Sequence, residues 1–123
     1  MSAPRRPPSV NERLGQLARQ FLVHSFLYYR LGESVIGDAA FDQLADELRG
    51  LRQANPDAPL PYARLLEPVL GPEASGHRLS QYPPEIISTA FKLLYAASGS
   101  QADFAEFTAR RGYTAQLHPS QEG

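Results

Sequence analysis

The sequence predicts an all-α, single-domain protein: a helical hairpin with two further helices completing the same domain. Three observations carry this. Apolar residues recur at helical spacing in long stretches, and helix-start and helix-stop residues bracket those stretches. No pair of alternating segments is joined by hairpin turn residues. A chain of 123 residues fits one domain and hides enough surface on folding for a real core.

The elements follow in order. Residues 1–8, with three prolines and two arginines, read as a disordered tail. Ser9-Val-Asn-Glu12 is a capping box that opens a first helix. Val10, Leu14, Leu17, Phe21, His24, Tyr28 and Leu31 then alternate spacings of four and three, a stripe along one face, and Gly32 is a natural stop. From Phe21 to Leu31 only His24, Ser25 and Arg30 interrupt the apolar character, so this half must be covered from several directions. Residues 60–110 are expected to fold back on it as helices and provide that cover.

After a short link, Asp38 is placed to cap a second helix with a core stripe of Phe41, Leu44, Leu48 and Leu51, ended by Asn55-Pro56. So short a link implies an antiparallel hairpin over residues 9–57. Residues 57–84 hold six prolines and two glycines around one short helical candidate, Tyr62–Leu70, and read as an ordered wrap because their leucines need burial. Pro83-Pro84-Glu85 opens another long helix with Ile86, Ile87, Ala90, Phe91, Leu94 and Tyr95 on its apolar face, ending at Gly99. Ser100-Gln-Ala-Asp103 is the expected start of a last helix carrying Phe104 and Phe107 and closing at Gly112. The wrap and these two helices, 58–112, complete the hairpin's domain, and 113–123 reads as a frayed tail.

Composition narrows the function classes. No apolar run approaches the ~20 residues of a membrane span, and MSAPRRPPS lacks the apolar region of a signal peptide, so a soluble, cytoplasmic protein is expected. The absence of cysteine fits that location and excludes disulfide and thiolate chemistry. A net charge of −1 makes nucleic-acid binding weak or indirect. Eleven of the twelve basic residues are arginine, which suits a local phosphate or carboxylate patch or reflects codon bias alone. Three histidines, His24, His77 and His118, lack helical metal-ligand spacing, and no metal site is expected; His24 reads as a packed helix residue.

The turn of the hairpin is where chemistry gathers. Tyr28 and Tyr29 end the first helix, while Asp38, Phe41 and Asp42 start the second, and Asp38 and Asp42, four apart, share a face. Aromatic faces beside two carboxylates attract a flat cation such as a pyridinium ring bearing an amide, whose N–H groups the acids can accept. Free N–H groups at the second helix's start could receive a phosphate. Each residue also has a plain structural role: Asp38 as a cap, Asp42 in the helix dipole, Tyr28 packed with its hydroxyl at the rim. Tyr29 lies about 100° round an α-helix from Tyr28, so the two need not share a pocket.

The strings His24-Ser-Phe-Leu-Tyr28-Tyr29, Ile36-Gly-Asp38-Ala-Ala-Phe41-Asp42-Gln-Leu44, Glu47-Leu48 and Asn55-Pro56 carry a resemblance. Residues 14–57 resemble the nicotinamide-mononucleotide-binding subdomain (Ia) of bacterial NAD-dependent DNA ligases. In those enzymes the subdomain is a helical hairpin that clamps the nicotinamide mononucleotide half of NAD while AMP moves to the catalytic lysine. The resemblance places the family's tyrosine pair on Tyr28 and Tyr29 and its aspartates on Asp38 and Asp42. Its next aromatic, normally tyrosine, is Phe41 here, which removes one hydroxyl.

What the resemblance implies is a non-catalytic binding protein for nicotinamide mononucleotide or the nicotinamide half of NAD, linked to DNA repair or replication, with no cofactor required and that nucleotide as its expected ligand. Lys92 is the only lysine, and Phe91-Lys-Leu-Leu-Tyr is not the Lys-x-Asp-Gly nucleotidyltransferase motif, so this chain is not expected to seal DNA alone. Two alternatives stay open. One is an interaction module docking a DNA-repair or nucleotidyltransferase partner, with a lapsed pocket. The other is a nicotinamide-nucleotide hydrolase using Asp38 and Asp42 as acid and base. Small ligase-like proteins of this kind occur in phages, which suggests a phage origin.

Overall fold

The computed structural model describes residues 9–70 and 81–114, and every described element of regular structure is a helix. α1 (Val10–Ser25) starts where the capping box places it: Ser9 is extended, and its Oγ accepts the Glu12 N–H at 3.1 Å. That satisfies one of the amides a helix start leaves without a partner. Leu14, Leu17, Ala18, Phe21 and Leu22 face inward and are buried.

The helix does not continue as an α-helix to Leu31. Phe26–Arg30 form a π-helical turn: the Leu31 N–H reaches back five residues to the Phe26 carbonyl, and the Glu33 N–H six residues to that of Leu27. Gly32, at φ 66°, closes it. The wider turn buries Phe26 and Leu27 and carries the phase of the predicted stripe off the core, so Tyr28 is 39% exposed. At the other end of that stripe Val10 is 40% exposed.

α2 (Asp38–Ala54) runs antiparallel to α1. Phe21 stacks on Phe41 with ring centroids 5.5 Å apart, and towards the opposite end Arg13 pairs with Glu47 at 2.7 Å. Leu48 is fully buried, whereas Phe41, Leu44 and Leu51 pack at the margin of the core. Asp38 is not the cap. Gly37 occupies that position at φ 83° and ψ 162°, its N–H bonded to Ser34 Oγ at 3.0 Å, and Asp38 is the first helical residue. Asn55 ends α2, its side chain donating to the Leu51 carbonyl.

Arg52 then ties the wrap down, donating to the Ala58 carbonyl and pairing with Glu67 on α3 (Ala63–Leu70). α4 (Pro84–Ser98) has Pro84 in its first turn, where the missing N–H costs no helical bond, and Gly99 at φ 67° after its last residue. Its Ile86, Ala90, Phe91 and Leu94 are buried. α5 (Phe104–Ala109) is capped by Asp103, whose carboxylate accepts the Glu106 N–H at 2.8 Å. The expected start at Ser100 is corrected by this: Ser100 Oγ instead accepts the Ala102 N–H within the link.

Residues beyond the hairpin cover the apolar half of α1. The Phe26 ring meets Tyr82, Phe91 and Tyr113 edge-on, with centroids 5.2, 5.9 and 5.7 Å away. Such edge-to-face pairs add to the burial of large apolar rings. Beside them Ser25 and Tyr82 share a buried hydrogen bond of 2.8 Å. Tyr113 is thus part of the core and not the first residue of a frayed tail. The expected tails over 1–8 and 115–123, and His77 and His118, lie outside the described residues. Among the described residues no helix is long and apolar enough to cross a membrane, and no group of three His, Cys, Asp or Glu could hold a metal ion.

Candidate functional site

Tyr28, Tyr29, Asp38, Phe41 and Asp42 line one open cleft of about 170 Å³ at the turn of the hairpin. The π-helical turn supplies the tyrosines and the first two turns of α2 supply the rest. In an α-helix, neighbouring side chains diverge by about 100°. A π turn winds less per residue, and here both tyrosines reach the same partner. Tyr28 lies nearly parallel to Phe41, at 4° and 6.0 Å, while Tyr29 stands edge-on to Tyr28 at 4.9 Å and to Phe41 at 6.3 Å. Phe41 is fixed from behind by its stack on Phe21, so the aromatic wall is anchored to the core.

The two carboxylates are exposed at the cleft and share a face of α2 with Phe41. Their field is felt by Tyr29: burial first, then Tyr28, Asp42 and Asp38, push its hydroxyl above the ordinary tyrosine value. The phenol therefore stays neutral, and the cleft presents π faces and negative charge together. That combination attracts a cation and repels an anion.

His24 is not in this cleft. It is half-buried, burial pushes its imidazole below the ordinary histidine value, and its Nδ1 is buried with no hydrogen-bond partner. It stands in the wall of a second, larger cleft of about 580 Å³, with residues of α1, α4 and Tyr62. No pattern in the sequence pointed to this second cleft. Its residues come from three separate stretches whose pairing only the tertiary fold sets. The one local signal was the irregular polar position of His24 on an apolar stripe.

Comparison with known proteins concerns the hairpin. Residues 7–61 match the family described as the DNA ligase-like, N-terminal NAD+-binding domain. The DNA ligase of Roseiflexus sp. (strain RS-1) is 40% identical over 52 residues, which are 42% of this chain and 7% of that ligase. The DNA ligase of Symbiobacterium thermophilum is 43% identical over 48 residues, 39% of this chain and 7% of the ligase. The chain therefore spans about 7% of the length of these curated relatives. No solved structure gives a significant match. All five residues of the smaller cleft fall inside the matched span, and residues 7–61 of this chain resemble the N-terminal NAD+-binding domain of DNA ligases.

Proposed function

We propose that the cleft at the hairpin turn binds nicotinamide mononucleotide, or the nicotinamide half of NAD. In this reading the chain is a binding protein that catalyses no step itself, working in the cytoplasm in connection with DNA repair or replication. The observation that supports it is the gathering of three aromatics and two carboxylates around one cleft within the ligase-like span. A pyridinium ring stacked there gains about 0.5–2 kcal/mol, and each hydrogen bond from its amide to a carboxylate about 1.5–3 kcal/mol.

The cleft is below the ~300–1,000 Å³ usual for small-molecule pockets. It suits the ring alone, leaving ribose and phosphate at the surface near the open amides of α2's first turn. With so little enclosed, and several kcal/mol of lost freedom to offset, the expected affinity is about micromolar to millimolar. Calorimetric titration with nicotinamide mononucleotide, with AMP as the control, tests it. Asp42→Asn keeps the side chain's size and should weaken binding about tenfold, roughly 1.4 kcal/mol. Phe41→Tyr should strengthen it by restoring a hydroxyl. Absence of saturation at millimolar nicotinamide mononucleotide overturns the proposal.

One observation favours a second reading. Tyr28 and Ile36, 39% and 37% exposed, put apolar surface at the hairpin turn. A ligase-type or other DNA-repair protein docking there would cover it, and this reading takes over if no nucleotide binds.

A further inference from the structure

The cleft at the hairpin turn has a sign as well as a shape. Among the described residues its lining holds two carboxylates, Asp38 and Asp42, and no lysine or arginine. Both acids are exposed on the first turns of α2, four residues apart and so on one face. The neighbouring arginines are engaged elsewhere. Arg30, which follows the tyrosine pair, places its guanidinium over the Tyr82 ring at 5.6 Å, and Arg49 and Arg52, further along α2, pair with Asp46 and Glu67. After burial, the groups that act on the Tyr29 hydroxyl are Tyr28, Asp42 and Asp38; all push its pKa up, and none is a cation. The open amides at the start of α2 do not reverse the sign. A helix start is worth about half a positive charge, which two carboxylates on the same turns outweigh.

This charge distinguishes between pyridinium ligands. Nicotinamide riboside carries only the positive charge of its ring. Nicotinamide mononucleotide adds, on the same ribose, a phosphate of about −1.5 to −2 charge at neutral pH. Both offer the same ring to the aromatic wall and the same amide to the acids, so those contacts cancel in the comparison. What remains is the phosphate, held at the mouth of a cleft that encloses the ring alone and faced by two like charges. We propose, resting on the nicotinamide reading above, that the cleft selects the phosphate-free nucleoside cation, nicotinamide riboside, over nicotinamide mononucleotide. The carboxylates attract the riboside's single charge, and a hydroxyl in the place of the phosphate adds no repulsion.

Calorimetric titration of the full chain with the two ligands in parallel tests this. The riboside should bind about tenfold more tightly than the mononucleotide at an ionic strength of about 0.01 M, where charges are screened only beyond about 30 Å. At about 1 M, where that length is about 3 Å, the ratio should fall towards one. Asp42→Asn, at an exposed position, should narrow the ratio at low ionic strength too. Both ligands lose a hydrogen bond from the amide in that variant, but only the mononucleotide is relieved of a repulsion. Mononucleotide binding as tight as riboside binding at low ionic strength, or a ratio unmoved by salt, would overturn the selection and leave the nicotinamide reading standing. No saturation with either ligand at millimolar concentration would end both.

Discussion

His24 couples packing to pH through a single side chain. Burial holds its folded pKa below the ordinary 6.5, so protonation favours the unfolded chain. The stability this neutral imidazole carries is fully present above pH 6.5 and is lost as pH falls through the lower folded value. Thermal unfolding midpoints should therefore decline between about pH 7 and 5, a window above the ordinary carboxylate pKa range. His24→Gln should flatten that decline, and because His77 and His118 remain in the variant, the difference belongs to His24 alone. Identical pH slopes in the two proteins would refute the assignment. The position of His24 on the apolar stripe was legible in the sequence; its lack of a partner was not. That depends on what the tertiary fold packs around its Nδ1, which no local spacing encodes.

Helix limits were legible wherever a residue with one strong conformational preference marks them: Ser9, Gly32, Asn55-Pro56, Pro84 and Gly99 all stand where the structure turns. The π turn was not, because Phe26–Arg30 suits an α-helix equally well. What selects the wider turn is tertiary: Phe26 is gripped by rings from 82, 91 and 113, while Tyr28 and Tyr29 swing to Phe41. The short link misled for a related reason. Asp38 is a good capping residue, yet Gly37 takes the cap because its φ of 83° with ψ of 162° is open only to glycine. Gly37→Ala should cost about 1–3 kcal/mol and, by displacing Asp38, also weaken nicotinamide mononucleotide binding. Gly50, in the middle of α2, is the matched control, since a methyl group added there would meet no other atom within 4 Å. Gly50→Ala should stabilise by about 0.5–1 kcal/mol and leave binding alone. Denaturant midpoints for both variants decide the matter; a neutral Gly37→Ala would mean the link relaxes at no cost.

At the scale of the whole molecule, the similarity to ligases and the core do not share a boundary. The family match ends at residue 61, whereas every ring against Phe26, and the Tyr82 hydroxyl that Ser25 bonds, comes from further along the chain. Cut at 61, the hairpin would expose Phe26 and Leu27, which are now buried, and leave Ser25 without its partner. Two helices with one bare apolar flank have little burial to set against backbone entropy of about 1–2 kcal/mol per residue. A fragment of residues 1–61 should therefore lack the cooperative melting and near-ultraviolet circular dichroism of the full chain. Phe91→Ala applies the same logic without a cut: removing one fully buried ring from this cluster should cost about 3–5 kcal/mol, a large share of a small domain's stability. The two experiments check each other. A fragment that melts as sharply as the full chain, with Phe91→Ala costing under about 1 kcal/mol, would make the hairpin an autonomous unit and the later helices an attachment. A fragment that is unfolded alone yet folds when peptide 81–114 is added would show that the nicotinamide cleft is built on packing contributed from outside the ligase-like segment.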